Sequence, residues 1–578
     1  LIDLYPTLCD LTGIETPTHC QGQSFRGLLD DPESGHRYSS YSSYPAWKSL
    51  GHSIRFRNFR YTEWYHDDTG ILRARVLTDL RKDPGEVTNC ADNPAYTEAL
   101  AAAETELHRR IKEADANAVL KTTSVTQATS TTIKVDTSLS HRRQAIDGFG
   151  GSVAFWATKA DDEALSAGIR ELNANLIRVQ GEVTKAGLTD HNVSLLQRGM
   201  AMKPTLQVLL TFWQPRSAEH LEPEYWLRAE QIDGTEQYIL RDDRMEEWAD
   251  ELVSRVQFYR SLGINVTTIG VQNESNWSHE GTQTCRWEPE RLRTFIEQFI
   301  HPRLEANQLT EIKIAAPDLA FIGPDASEFR RFLPTLMSPD VDIAAYHMYD
   351  SYQNDQDGNF EILVSNTRKL GELVNEFIPQ KKLWMTETTG AQWNGNEWHT
   401  YGWTADLTEH SKAIQAARYM HTTFVDAQAN AFLWWGLIYS VAPGNEKDGN
   451  VLQKHRDEGL VLVRAPADQI GEYQAFLERT KKFYVFAQYS RFIHPGYRRV
   501  ALDAVSGVYA SAYVGEEDNR LIAVVINDSD TSKELSIQVN AGYEFASAHQ
   551  TDKLKNCEQI GLDELLPPQS VRTVVFQK

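Results

Sequence analysis

Two short runs that end in glutamate decide how this sequence folds: Thr268-Ile-Gly-Val-Gln-Asn-Glu274 and Leu383-Trp-Met-Thr-Glu387. Six further short apolar runs resemble them: Gly148-Phe-Gly-Gly151, Leu176 to Val179, Leu206 to Leu210, Ile312 to Ala316, Ile343 to His347 and Ala431 to Trp435. Between them lie helical patterns. Trp248, Leu252, Val256 and Tyr259 share one helical face, as do Leu292, Ile296, Phe299 and Ile300, and Pro289 suits the first turn of the second of these helices. No G-x-G-x-x-G phosphate loop follows any of the runs. Eight strands alternating with helices therefore predict an α/β fold of the (β/α)8 barrel type over residues 146–488, rather than an open doubly wound sheet.

At 578 residues the chain exceeds one ordinary core, so companions to the barrel are expected. Residues 1–121 read as a small α+β unit that ends in an alanine- and glutamate-rich helix around Tyr96 to Lys112. Residues 122–132 (TTSVTQATSTT) have linker composition. After about Tyr489 the apolar pattern changes to period two, in Val508 to Val514, Leu521 to Ile526, Leu535 to Val539 and Val571 to Phe576. This predicts an antiparallel β domain over residues 489–578. Ile133-Lys134-Val135, within residues 133–145, can add a strand to it, so that the domain is built from both flanks of the barrel.

A net charge of −22 makes nucleic acid and anionic membrane poor partners. Five cysteines, Cys9, Cys20, Cys90, Cys285 and Cys557, lack C-x-x-C or metal-ligand spacing, and indicate neither a zinc site nor a complete disulfide framework. No apolar run approaches the roughly 18 residues that span a bilayer. No signal peptide stands in the sequence, which begins at Leu1. Fourteen tryptophans and twenty-three tyrosines supply flat faces that suit sugar rings as well as a core.

Residues at the carboxyl ends of barrel strands face the active site, and two glutamates stand there. Glu274 and Glu387 are 113 positions apart (387 − 274), three βα units, which places them on the fourth and seventh strands. Cleaving a glycosidic bond with retention requires a protonated carboxyl at the leaving oxygen and an ionised one beneath the anomeric carbon. Glu274 is the candidate acid/base and Glu387 the candidate nucleophile. Asn273 can donate to a sugar 2-hydroxyl, Arg178 can hold Glu387 ionised, and His347 and Tyr349 follow the sixth strand, where a tyrosine can bond the nucleophile. Trp156, Trp213, Trp277 and Trp434 are candidates for stacking on sugar.

On these residues, about 133 to 578 resemble glycoside hydrolase family 30, the clan-A group of glucosylceramidases, xylanases and β-1,6-glucanases. The motifs are I-D-G-F-G-G (Ile146 to Gly151), I-R-V (Ile177 to Val179), V-Q-N-E (Val271 to Glu274), W-M-T-E (Trp384 to Glu387) and S-R-F-I-H-P-G (Ser490 to Gly496). The resemblance implies a barrel with a fused side β-sandwich, net retention, Glu274 as acid/base, Glu387 as nucleophile, a carbohydrate substrate, no cofactor and no metal. A secreted, periplasmic or cell-surface location is expected. Two departures stand out: Ser275 occupies the usual proline after N-E, and T-F-W-Q-P-R (Thr211 to Arg216) replaces the usual S-P-W-S-P-P-x-W-M loop.

Residues 1–120 resemble the C-terminal part of iduronate-sulfatase-like enzymes, through Asp3 to Ile14, Gln21 to Leu29, Arg60 to Trp64 and Asp79 to Asn89. No C-x-P/A-x-R motif, the source of the formylglycine nucleophile, begins at any of the five cysteines, so no sulfatase activity is expected of this chain. The alternatives to hydrolysis are a non-catalytic carbohydrate-binding or assembly protein, and an accessory barrel of a longer sulfatase-glycosidase fusion. Monosaccharide, linkage, sulfation of the glycan and oligomeric state stay open.

Overall fold

The computed structural model describes residues 3–17, 20, 22–31, 39–46, 49–66, 72–122, 129–153, 160–182, 188–232, 234–278, 285–349, 360–388, 392–393, 398–399, 409–441, 458–464, 476–503, 505–540 and 542–578. The chain divides into two compact units, Leu1–Ala128 and Thr129–Lys578. In the first, strands Ser39–Ala46, Ser49–Phe56, Phe59–His66 and Leu72–Asp79 form an antiparallel sheet in chain order. The helix expected to end near Lys112 runs on, as Thr97–Thr122. It packs on the sheet through Ala103 and Leu107, which join Ile54, Tyr61 and Leu77 in a small core.

In the second unit the eight apolar runs form a closed parallel barrel: β1 Gly148–Ser152, β2 Leu176–Gln180, β3 Gln207–Thr211, β4 Val266–Gly270, β5 Lys313–Leu319, β6 Ile343–His347, β7 Lys382–Glu387 and β8 Ala431–Trp434. β8 closes onto β1 with Ala431 opposite Gly148 and Trp434 opposite Gly151. Alternation along each strand sorts the side chains into two cores. Leu176, Leu209, Ala315, Ile343, Ala345, Trp384, Ala431 and Leu433 meet in one cluster and fill the barrel. Their sequence neighbours Ile177, Val208, Leu210, Ala344, Tyr346, Met385, Phe432 and Trp434 belong to the large cluster shared with the surrounding helices.

The side domain is a seven-stranded sheet in the order Asn556–Ile560, Glu544–Thr551, Ser570–Gln577, Arg520–Asn527, Tyr509–Gly515, Arg498–Val500 and Arg142–Ala145. A second, two-stranded sheet pairs Thr129–Val135 with Lys533–Val539. That pair is parallel, so the domain is not antiparallel throughout. Residues 129–132, whose Ser/Thr composition suggests a linker, are strand here. Thr131 and Ile133 are buried in this strand, which a solvated linker would not require. Both flanks of the barrel contribute, since residues 129–135 and 142–145 precede it and the remaining strands follow it.

At β1 the glycines are a packing necessity. A Cβ on Gly150 would lie 1.6 Å from the Leu176 carbonyl oxygen, a backbone atom of β2 that cannot move without breaking the barrel. Gly150→Ala is expected to cost at least about 3 kcal/mol. Loss of soluble protein or a lowered midpoint in urea unfolding checks this, and a midpoint equal to that of the parent would contradict it.

Candidate active site

Alternation on β2 turns Leu176, Arg178 and Gln180 inward. Arg178 is fully buried where the carboxyl ends of the strands converge. Its Nη1 donates to Glu387 Oε2 at 2.5 Å, and its Nη2 donates to Asn273 Oδ1 at 2.5 Å and to Asp318 Oδ2 at 3.0 Å. One guanidinium thus ties the ends of β2, β5 and β7 to the turn after β4. The Trp213 ring covers it, 4.5 Å from Cζ.

His347, the last residue of β6, is buried among the same groups. Its Nδ1 lies 3.3 Å from Glu274 Oε1 and 3.7 Å from Glu387 Oε1, and its Nε2 lies 3.3 Å from Asp318 Oδ1. Arg178 Nη2 is 3.4 Å from that Nε2, and both nitrogens point at Asp318. Burial opposes charging the imidazole, but the Glu387 and Asp318 carboxylates outweigh it and raise the pKa to about 10. Burial works against ionising Asp318 too, yet the His347 and Arg178 cations hold its carboxyl well below the usual range. Thr386 adds a hydrogen bond to Asp318. For Glu387 burial is the largest influence and raises the pKa; His347, Arg178 and the Tyr349 hydroxyl, which donates to Oε1 at 2.9 Å, pull the other way.

Glu274 lies beyond the end of β4, where the chain turns outward. It has φ +52°, unusual for a non-glycine residue. The turn is pinned by neighbouring strands: the Asn273 N–H donates to the Phe212 carbonyl (2.7 Å) and the Glu274 N–H to the Asp318 carbonyl (2.8 Å). Ser275 is fully buried and its hydroxyl donates to the Pro317 carbonyl at 2.6 Å. The serine found in place of the family's proline therefore has a structural task. The carboxylate oxygens of Glu274 and Glu387 come within 4.8 Å of each other and of His347 Nδ1.

The structure thus gathers Arg178, Asn273, Glu274, His347, Tyr349 and Glu387 in one cluster. The tryptophans behave differently from one another. Trp156 lies outside the described residues. Trp213 is 7% exposed with one face against Arg178, and Trp277 is 38% exposed. The expectation that Trp434 stacks on sugar requires correction. It is buried on the helix-facing side of β8, and its Nε1 donates to the Glu458 carbonyl at 2.6 Å. The next residue, half-buried Trp435, approaches Trp213 instead, with ring centroids 6.4 Å apart.

Asp318 is the group that sequence reasoning missed. The signal was present, an aspartate just past the Ile312 to Ala316 run, but Pro317 ends the apolar pattern one residue too early. Glu274, His347 and Glu387 are spaced closely enough to hold a cation. However, Arg178 and a protonated His347 already place two positive charges there, which a metal would have to displace. A second such group among the described residues, Glu63, Glu104 and His108, lies in the first unit. There Glu63 already accepts from Tyr61 (2.6 Å), Tyr65 and His108 (2.9 Å).

The proteins that the second unit resembles in sequence and in fold are glycoside hydrolases. In particular, the second unit is similar to family 30. Glucuronoxylanase XynC of Bacillus subtilis (strain 168) is 24% identical over 413 residues, 69% of this chain and 78% of that protein. A GH30 endoxylanase from Clostridium papyrosolvens C71 superposes with a TM-score of 0.55 at 19% identity, over 77% of this chain and all of that one. The first unit resembles the C-terminal part of sulfatases. Residues 1–115 match the family described as N-sulphoglucosamine sulphohydrolase, C-terminal. Delta 4,5-hexuronate-2-O-sulfatase of Bacteroides thetaiotaomicron is 33% identical over 105 residues, which are 17% of this chain and 21% of that enzyme.

The raised His347 pKa makes stability depend on pH. The imidazolium stabilises the fold fully below its unfolded value of 6.5, and this contribution is lost as the pH rises through about 10. The contribution is on the order of 3 kcal/mol or more. Between pH 6.5 and 10 the stability of the parent should therefore fall more steeply than that of His347→Gln. Parallel denaturation curves for the two proteins across this window would show that His347 is not charged in the folded state.

Proposed function

We propose that the second unit hydrolyses β-glycosidic linkages in a polysaccharide or oligosaccharide with net retention, by double displacement. The observation that carries this reading is the approach of the Glu274 and Glu387 oxygens to within 4.8 Å. Retaining enzymes keep their two carboxyl groups about 5–5.5 Å apart, whereas inverting ones need roughly 6.5–9.5 Å to admit a water. Glu387 is the nucleophile, since Arg178 and His347 place two cations on it and Tyr349 orients one oxygen. Glu274 is the acid/base. It stands beyond the end of β4 with Oε1 3.3 Å from His347 Nδ1, and acts on the leaving oxygen opposite Glu387. Attack by Glu387 removes its negative charge, after which Glu274 takes a proton from the hydrolytic water.

Arg178 occupies Oδ1 of Asn273 and so leaves its Nδ2 to donate to a sugar 2-hydroxyl, a bond that strengthens as the oxocarbenium ion develops. Similarity to a glucuronoxylanase and a GH30 endoxylanase favours a xylan-like glycan. Such a polymer is met outside the cytoplasm. A conserved exported protein from Bacteroides fragilis shares the fold at 16% identity and a TM-score of 0.59, and among the described residues no helix is long and apolar enough to cross a membrane. Lacking the C-x-P/A-x-R motif, this chain is not expected to release sulfate.

Digestion of a panel of xylans, β-glucans, galactans and their sulfated forms tests the reading, with the first-formed anomer fixed by NMR. A β-anomeric product is expected. Glu387→Gln should abolish turnover, and Glu274→Gln should lower it by about 10²–10⁴-fold on unactivated glycans while sparing aryl glycosides with good leaving groups. An α-anomeric first product, or full activity in Glu387→Gln, would refute the mechanism.

A further inference from the structure

In the first unit, alternation along the strand Phe59–His66 puts Tyr61, Glu63 and Tyr65 on the face that meets the helix Thr97–Thr122. Glu63 is buried there. Tyr61 donates to its Oε1 at 2.6 Å, Tyr65 donates to Oε2, and His108 Nε2 lies 2.9 Å from the same Oε2. Burial opposes ionising Glu63, but these three bonds together outweigh it and hold the carboxyl below its usual value. Burial, the Glu63 carboxylate and the charge of Glu104 all push the Tyr61 and Tyr65 hydroxyls up, so both remain protonated donors. Glu63 is an anion fixed in place by two neutral groups.

The helix brings a second anion to it. Ala103 and Leu107 are buried in the core of the unit, and the residues after them, Glu104 and His108, stand one helical turn apart at its margin. One oxygen of Glu63, one of Glu104 and one ring nitrogen of His108 all lie within 4.8 Å of one another. Among the described residues Glu104 makes no hydrogen bond or ion pair of its own. The arginines around the cluster are matched elsewhere: Arg109 with Glu106 and Glu113, Arg110 with Glu113, and Arg75 with Asp92. Two carboxylates therefore share a single imidazole, and the cluster is short of positive charge.

A ring nitrogen and two carboxylate oxygens at this spacing are the donor set of a divalent transition ion, and the imidazole disfavours calcium and magnesium. The two tyrosines supply what a ligating carboxylate needs from its surroundings, hydrogen bonds that fix its orientation. His108 already aims Nε2 at Glu63 and has only to exchange that contact for the ion.

We propose that Glu63, Glu104 and His108 form a site for a zinc-like divalent ion that ties the helix Thr97–Thr122 to the strand Phe59–His66, with water completing the coordination. His108 is exposed, so the ion enters from solvent. The role is structural. The buried apolar core of this unit is only Ile54, Tyr61, Leu77, Ala91, Ala103 and Leu107, and a core of that size gains from a metal cross-link. The assignment is independent of the hydrolase reading.

Calorimetric titration of the metal-stripped full chain with Zn²⁺ tests it. One equivalent should bind with a Kd on the order of 1 μM or tighter. His108→Ala and Glu104→Gln, both outside the buried core, should each weaken that equivalent at least about tenfold. Two measurements on the parent need no variant. X-ray absorption of the zinc-loaded protein should show a nitrogen and oxygen shell at about 2.0–2.1 Å without sulfur at about 2.3 Å, and amide exchange in Thr97–Thr122 and Phe59–His66 should slow on loading. Absence of binding, sulfur in the shell, or unchanged exchange in both elements overturns the assignment. An equivalent that survives both substitutions but is lost in Glu387→Gln places the ion in the barrel and overturns it as well.

Discussion

A guanidinium buried without solvent contact must be matched by anions, because it cannot shed its charge, and Arg178 sets that condition for the centre of the barrel. Its partners come from β5, from β7 and from the turn after β4, so the four segments converge to satisfy one cation. Removing one member of a buried pair leaves the other uncompensated, at a cost of about 3–5 kcal/mol. The requirement propagates. Asp318, ionised by Arg178, in turn charges His347, and that imidazolium reaches Glu274 and Glu387 through its other nitrogen. The electrostatics of the two glutamates are therefore fixed by groups that need not touch a substrate.

What could be read from the sequence follows from the geometry of strands. A buried parallel strand leaves an uninterrupted apolar run, and where the run ends in a charged residue that residue stands at the barrel mouth. His347 and Glu387 were legible for that reason, Arg178 as a charge inside an otherwise apolar strand, and Tyr349 because it follows two residues after His347. The same rule failed where the run gave a false end. Pro317 hid Asp318. At the end of β8 an error of one position exchanges the two faces of a strand, which put Trp434 against the helices and Trp435 toward Trp213. The parallel pairing of Thr129–Val135 with Lys533–Val539 joins segments some 400 positions apart, and no local pattern encodes such a partner.

Glu274 shows why motif and position differ in what they convey. V-Q-N-E reads as one strand ending in an acid, yet β4 stops at Gly270 and the four residues after it are a turn. A left-handed backbone at a glutamate is unfavourable locally, and it persists here because both neighbours over-determine it. Phe212, just after β3, holds the Asn273 amide, β5 holds the Glu274 amide, and the Ser275 hydroxyl returns to β5. A proline at residue 275 would have no hydroxyl to give Pro317, so the departure from the family pattern at this position substitutes one way of fixing the turn for another. The acid/base assigned to Glu274 consequently depends on the same fifth strand that supplies Asp318. The carboxylate that charges His347 and the backbone that aims Glu274 are one residue, and a shift of β5 would disturb the charge and the position of the site together.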